Sequence, residues 1–431
     1  MAFLEAYQAL GAATPDPAAL PTAQMALLHQ WMAQNPTELF DELREREPIF
    51  VAPGATVLTR YDDVVEALAH DEVFSVKLYA PLLEAIAGHF VVGMEDTPEY
   101  ERYTAVLRLV FSRYDLDRVR QASADLTREL LAAARPRGRI DTVQGLARLV
   151  PLRFIADYFG VPGPDEATMM RWTRAIFHEI FDNLAGDPTV RDAGVASGHE
   201  MGAYLDQLIA SRHAARVAGN SGKDDIVGRL LRLQMDPVTA LDDATIRNLL
   251  IGLTTAMVDN VTTAITHVID ELLRRPAEMA AARTAALAND DDLLTHYIYE
   301  AWRFNPQNVL LVRHCELPYV IARGTERATP IQPGTAIYAM LISAMFDPHA
   351  IDTPDEFRIG RSLAYDYLHW GSGLHMCLGR YISTVQMSEV IKQLLSLPGL
   401  RRATGAEGVA QMDGAFAQQL VVEFDAGGTH G

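Results

Sequence analysis

The densest concentration of chemistry in the chain is Trp370–Gly379, WGSGLHMCLG, in which three glycines flank one of only two cysteines. Glycines let a backbone pass close to a flat ligand and adopt turns closed to other residues. The next residues, Arg380–Leu397, have helical periodicity, which sets Cys377 just before a helix N-terminus. Amides there favour the thiolate. A thiolate held in a tight loop is what a haem iron needs as an axial ligand. Taken alone, an isolated cysteine reads more readily as a small buried hydrophobe, and it is the surrounding loop that shifts the balance. A zinc site built from His375 and Cys377 is poor, because no further ligand pair is evident.

The whole chain sets the context. Its 431 residues carry 37 Lys and Arg against 56 Asp and Glu, a net charge of −19, with 49% hydrophobic and 22% charged residues. That is a globular balance and excludes disorder as the main state. The acidic excess argues against nucleic acid or an anionic membrane as a main partner, though not against a local basic patch. The N-terminal MAFLEAYQALGAATPDPAALP has neither a basic region nor a long apolar run, so no signal peptide is expected. The stretch Leu249–Ile269 is the most membrane-like, but Asp259 lies at its centre and Asn260 and His267 follow. A buried helix explains it better than a span. Cys315 and Cys377 lie far apart and form no CxxC, which rules out disulfide scaffolds and zinc fingers. A cytoplasmic location is expected.

The elements that must position this chemistry are mostly helical. PIFVAPGATVLT at 48–59 predicts a hairpin around Pro53-Gly54, and Asp62 or Asp63 then caps a short helix. Residues 97–135 look helical with an arginine-rich face, and breaks are expected at 161–165, 185–198 and 218–225. Asp242 or Asp243 caps the longest helix, which runs to about Arg275 before Pro276. At 1.5 Å per residue it spans roughly 45–50 Å, and its apolar middle predicts a path through the interior. From Val309 to Met345 β-branched runs with turns at Arg323-Gly324 and Pro333-Gly334 predict a small sheet.

Read together, these features resemble the cytochrome P450 superfamily, in its soluble bacterial-type branch. The family's haem loop, Phe-Gly-x-Gly-x-His/Arg-x-Cys-x-Gly, matches Trp370 to Gly379 except that Trp370 replaces Phe. The resemblance implies that Cys377 is the proximal thiolate on iron and that His375 meets a haem propionate. Glu300-Ala301-Trp302-Arg303 matches Glu-x-x-Arg, about 75 residues before the cysteine, and implies a structural role for Glu300 and Arg303. Arg313, seven residues after Pro306, matches the propionate-binding arginine. Pro354-Asp355-Glu356-Phe357, Lys223-Asp224-Asp225 and Asp96-Thr97-Pro98-Glu99 match lesser landmarks, so the pattern runs in order from about 40 to 425. The implied fold is mainly α with a small β region, a single domain over 1–431 with tails at 1–22 and 425–431. Its cofactor would be haem b (iron protoporphyrin IX), buried between the long distal helix and the proximal helix after the cysteine loop.

The chain also departs from the family. The distal motif Ala/Gly-Gly-x-Asp/Glu-Thr-Thr aligns with Ala256-Met257-Val258-Asp259-Asn260-Val261. The acid stays as Asp259, Met257 replaces glycine, and Asn260 replaces threonine. Thr262 and Thr263 lie round the helix from that position. The acid–alcohol pair helps deliver protons during dioxygen activation. Asn260 can donate and accept but is no proton carrier by itself, which makes an Asn260-bound water beside Asp259 the catalytic expectation. The rival readings are an inward salt bridge for Asp259 and a helix-bending or substrate-binding role for Asn260. On the helix beginning at Pro98, the usual propionate-binding His and Arg are Tyr100 and Thr104; Tyr100 can still donate one hydrogen bond, and Arg102 or Arg108 would have to replace the charge. Expected pocket walls are 78–92, Leu253, Ala256, Met257, Val309 and Leu310, mainly apolar. Met257 either narrows the space above the haem or fills a gap against another helix. His89 either meets a polar group or lies on the surface.

The resemblance implies a monooxygenase that puts one atom of dioxygen into a C–H or π-bond of a small to medium apolar molecule. A separate carrier of ferredoxin or flavodoxin type would supply electrons, docking on a basic patch of Arg108, Arg113, Arg118, Arg120 and Arg380. That patch reads equally well as a solvated helix face. The alternatives are a peroxide-driven peroxygenase, a haem-thiolate isomerase or dehydratase, and a non-oxygenating ligand-binding protein.

Overall fold

The computed structural model describes residues 2–14, 16–183, 186–220 and 222–426. These form two compact units, one of residues 1–78 with 308–377 and the other of 79–307 with 378–431.

The first unit is built on a five-stranded sheet in the order Ile49–Ala52, Ala55–Leu58, Ala336–Ala339, Leu311–Cys315, Phe74–Ser75. The expected hairpin pairs Ile49 with Leu58 and turns at Gly54, whose φ of +77° suits glycine. Ala55–Leu58 runs parallel to Ala336–Ala339 and is buried on both faces. Side chains alternate across the pleat, so Val57 and Tyr338 join one apolar cluster while Leu58 and Ile337 join another. Residues 1–22 are not simply a tail. Phe3–Ala13 is a helix, a second helix starts at Leu20, and the Phe3 amide donates to the Glu42 carboxylate at 2.7 Å. The first helix carries an aromatic anchor, in which Phe3 packs on Trp31 and Phe50 and Tyr7 packs on Phe3 and Phe50. The C-terminal residues 427–431 lie outside the described residues.

The second unit surrounds the helix Asp243–Leu273. Asp242 caps it by accepting from the Thr245 amide at 2.7 Å, and the helix Pro276–Ala288 follows. Glu166–Phe177, Pro188–Val217, Asp291–Phe304 and Arg380–Leu395 pack against it. It is long and apolar enough to cross a membrane, but 78% of its most apolar window is buried within the protein. Residues 97–135 form two helices, Pro98–Val110 and Leu116–Ala134, separated by a turn that Ser112 caps. The break expected across 185–198 is shorter, because Pro188–Val217 runs through two of its three glycines, Gly194 and Gly198. Those glycines serve close packing: a Cβ on Gly198 would lie 2.4 Å from the Ile86 carbonyl, and one on Gly194 would lie 2.6 Å from Glu179.

Polar groups inside the long helix are satisfied locally or by neighbours. Thr262 and Thr266 donate to the carbonyls of Val258 and Thr262 at 2.7 and 2.8 Å. The His267 imidazole meets the Asn305 carbonyl at 3.0 Å, and burial pushes its pKa down to about 4. The fold therefore holds His267 neutral. The unfolded chain takes up this proton near pH 6.5 and the folded chain near pH 4, so the stabilisation is complete above pH 6.5. It is lost as pH falls toward 4, by up to about 3 kcal/mol. In urea unfolding between pH 7 and 4, His267→Gln is expected to flatten this decline; a variant profile parallel to that of the wild type would assign the decline to other groups.

Candidate active site

The cysteine loop belongs to the first unit. Gly371 and Gly373 adopt φ of +72° and +73°, and a Cβ on Gly373 would lie 2.0 Å from the Leu68 carbonyl. The loop closes on itself, with the Cys377 amide donating to the Trp370 carbonyl at 2.9 Å and the Met376 amide to Gly373 at 3.2 Å. Cys377 is half-buried, as is His375. Arg313, on the strand Leu311–Cys315, is only 4% exposed. Burial first, and the charge of Arg313 second, push the His375 imidazole down to about 4. One unit thus presents a cysteine sulfur together with buried positive potential.

In the second unit, the long helix is buried from Leu249 to Leu272 except at Gly252, Leu253, Ala256 and Asn260. Spacings of three and four residues put these on one face. The Asn260 amide group donates through Nδ2 to the Ala256 carbonyl at 2.8 Å. Its Oδ1 is buried and has no hydrogen-bond partner among the described residues. Asp259 turns away from this stripe. Its carboxylate pairs with Arg174 at 2.9 Å and lies 3.9 Å from Arg148. The inward salt bridge weighed from sequence is therefore present. An opening of about 240 Å³, lined by Gln144, Arg171 and Met170 among others, reaches the pair from outside.

A second cavity, of about 60 Å³, lies beside the stripe. Leu83, Ile86 and Phe90 line it from the 79–93 segment, Ile176 from the helix Glu166–Phe177, Ile180 from the helical turn His178–Asp182 that continues it, and Thr255 and Ala256 from the long helix. The wall is held by close contact: a Cβ on Gly252 would lie 2.5 Å from the Phe90 ring. Of the pocket residues expected from sequence, the 78–92 segment and Ala256 are here. Leu253 shares the stripe without lining the cavity. Met257 is 8% exposed and lies off the stripe, which fits a gap-filling side chain rather than one projecting over it. Val309, exposed, and Leu310, packed on the sheet core, belong to the first unit. His89 is largely exposed near Glu84 and Glu99 and does not line the cavity. Ile176, Ile180, Asn248 and Thr255 escaped sequence reading because their helices carry apolar residues on several faces, and no local signal separates cavity from core.

Glu300 and Arg303 form a bidentate pair, Nε to Oε2 at 3.0 Å and Nη2 to Oε1 at 2.8 Å, with both side chains 0% exposed. A solvated surface pair is excluded. Tyr100 is buried on the helix that Thr97 caps. Thr104 donates its hydroxyl to the Glu101 carbonyl at 3.0 Å, and Arg102 lies 3.8 Å from Glu99. The Arg102 Nε is buried without a hydrogen-bond partner among the described residues.

Residues 29–397 match the sequence profile of the family described as Cytochrome P450. The chain belongs to the cytochrome P450 family. Cyclomarin C epoxidase CymV of Salinispora arenicola is 26% identical to this P450 over 371 residues, covering 84% of this chain and 86% of that one. Erythromycin C-12 hydroxylase of Saccharopolyspora erythraea is 25% identical over 357 residues, covering 82% and 85%. The crystal structure of CalO2 superposes with a TM-score of 0.79 at 22% identity, covering 92% of this chain and 98% of that one. This P450 is a bacterial-type monooxygenase with haem b as its cofactor, and the family works with an organic substrate, dioxygen and a redox partner.

The residues present fit that cofactor. Gly373 packs its backbone where a side chain would clash, Cys377 offers a soft sulfur ligand, and buried Arg313 offers charge for a carboxylate. The stripe 252–260 is an accessible face on an otherwise buried helix.

The arginine patch of this P450 is smaller than its sequence suggests. Arg118 reaches Asp224, and Arg120 reaches Asp291 at 2.7 Å and Glu389 at 3.7 Å. Arg113 and Arg380 both lie over the Tyr381 ring, at 3.8 and 4.4 Å, while Arg108 is exposed.

Cys377→Ala is expected to abolish the thiolate-type carbon monoxide difference spectrum of the reduced protein. A variant that keeps that spectrum would disqualify Cys377 as the ligand.

Proposed function

We propose that this P450 oxygenates a small to medium apolar molecule held against the long helix, with residues 1–431 acting as one catalytic domain in the cytoplasm. The observation that carries the substrate reading is the cavity beside the stripe, whose lining has no ionisable side chain. Bound haem b supplies dioxygen activation and transfer of one oxygen atom to carbon. In this reading Cys377 would hold the iron through its sulfur, His375, Arg313 and Tyr100 would hold the propionates, and Glu300 with Arg303 would stiffen the surrounding helix.

The chain's own part is placement and proton handling. Asn260 gives its N–H to the Ala256 carbonyl, so the end left over is an acceptor. It can hold a water by accepting one of its protons, and the water can then act as carrier. Asp259 stands at the inner end of an opening large enough for several waters, which supports a route for protons from solvent to the carboxylate. Arg174, about one quarter exposed, is the partner that would have to yield for Asp259 to exchange a proton. In product analysis after a screen for ligands that perturb the haem absorption, Asn260→Ala is expected to lower product per electron consumed severalfold. Unchanged coupling would remove the water-holding role.

A peroxide-driven reaction is the second reading, prompted by the fixed amide oxygen that Asn260 presents in place of a rotatable hydroxyl. Rapid, stable turnover with hydrogen peroxide and no reductase would establish it in place of the first.

Electrons are proposed to enter from an acidic ferredoxin- or flavodoxin-type carrier at Arg108, Arg113 and Arg380, beside exposed Leu109 and Tyr114. Reduction should slow severalfold as salt rises from 50 to 300 mM, and Arg108→Glu should slow it at low salt. Salt-independent reduction would rule out this docking face.

A further inference from the structure

The cavity beside the long helix contains one unexplained polar group. Thr255 lines it and is 2% exposed, yet its hydroxyl has no hydrogen-bond partner among the described residues. The usual recourse of a buried helical threonine is the carbonyl four residues earlier. Thr262 and Thr266 on the same helix both take it, as do Thr127 and Thr173 elsewhere. Thr255 does not. Thr254 likewise lacks a partner, but it does not line the cavity.

The other polar lining residue, Asn248, has its acceptor engaged and its amide nitrogen packed against the Gly88 backbone. Its Oδ1 accepts from Arg247 at 3.3 and 3.2 Å, and its Nδ2 lies where a Cβ on Gly88 would fall, 2.3 Å from that position. The rest of the wall is apolar, and no titratable side chain faces the space. A carboxylate or ammonium would find no counter-charge there. A pure hydrocarbon would leave the Thr255 hydroxyl buried and unpaired.

We infer that Thr255 is the polar anchor of this cavity, and that the substrate is an otherwise apolar molecule whose inserted end carries one neutral hydrogen-bonding oxygen, a ketone or an alcohol. The inference rests on the reading of this cavity as the substrate site. It deepens that reading by fixing the substrate's chemistry at one end. A ketone accepts the threonine proton, and an alcohol can either accept it or donate to the threonine oxygen. The enclosed volume of about 60 Å³ suits a compact group or the end of a longer molecule.

The test uses the haem-loaded enzyme and matched series in which one carbon skeleton appears as hydrocarbon, ketone and alcohol. Dissociation constants come from the shift in haem absorption, or from competition where a ligand is spectrally silent. Wild type is expected to bind the oxygenated members at least tenfold more tightly than the hydrocarbon, the reverse of simple partition out of water. Thr255→Val should bring that ratio within about threefold of unity, and Thr255→Ser should keep most of it. Ligand-free Thr255→Val should unfold at the same or a higher temperature than wild type, because an unpaired hydroxyl is removed. A drop of several degrees would mean that the hydroxyl holds the fold and not the ligand. Equal binding of hydrocarbon and ketone by wild type, or an unchanged ratio in Thr255→Val, would overturn the anchor while leaving the cavity as substrate site. If no member of any series binds, the substrate-site reading itself fails, and the anchor with it.

Discussion

A 31-residue helix that is buried from Leu249 to Leu272 on every face but one governs the second unit. A helix of that length crossing an interior must be covered by others along about 46 Å. Glu166–Phe177, Pro188–Val217, Pro276–Ala288, Asp291–Phe304 and Arg380–Leu395 are among the helices that do so. The accessible stripe at Gly252, Leu253, Ala256 and Asn260 is what that covering leaves open. Any flat ligand laid on this helix is confined to the stripe by exclusion rather than by a dedicated lip.

Burying so much helix obliges its acids to find partners, and the partners fix the neighbours. Asp270 is held by Arg402 at 2.6 Å and Arg274 at 2.7 Å, which ties the strand Arg401–Arg402 to the helix end. Asp259 ties Glu166–Phe177 through Arg174. Glu300 and Arg303 satisfy each other within a single turn. Buried pairs of this kind contribute little net stability over apolar substitutes, yet leaving one partner alone is severe, about 3–5 kcal/mol. Their effect is to specify which packing is reached. Positions that carry chemistry and positions that carry assembly are therefore interleaved on one helix, a few residues apart.

Much of this was legible in the sequence where a local rule decides. Asp242 marks a helix start because side-chain caps act over three residues, and Gly54 marks a turn because φ is positive there; the cap expected of Asp62 or Asp63 is absent, since the helix Tyr61–Ala69 starts after Arg60 with both acids in its first turn. The cysteine loop was legible for the same reason, since the positive φ of Gly371 and Gly373 is a local demand, although Gly373 also answers to the distant Leu68 carbonyl. Gly194 and Gly198 misled because they answer to a distant surface, the Glu179 side chain and the Ile86 carbonyl. The arginine face misled similarly, as Arg118 and Arg120 find acids 106 and 171 residues away. Thr255 carried no signal at all. A threonine that lacks its usual carbonyl looks identical, in sequence, to one that has it.

Asn260, at the position where the family motif would place threonine, can be judged in the same terms. A threonine at that position, bonded as Thr262 and Thr266 are, would give its hydroxyl proton to the Ala256 carbonyl and leave an oxygen lone pair. Asn260 gives an N–H to that same carbonyl and leaves Oδ1, also a lone pair. Donor and acceptor polarity toward the stripe is thus conserved although the residue is not. What changes is reach: the asparagine carbonyl stands one bond farther from the backbone and lies in the plane of its amide, with no hydroxyl rotor. A group that can only accept and cannot rotate its proton selects waters by position. Asp259, facing the other way toward Arg174, supplies no correction from its own side chain. In the oxygenation reading, proton delivery would then run through a water held by Asn260, and coupling would be the property most exposed to change.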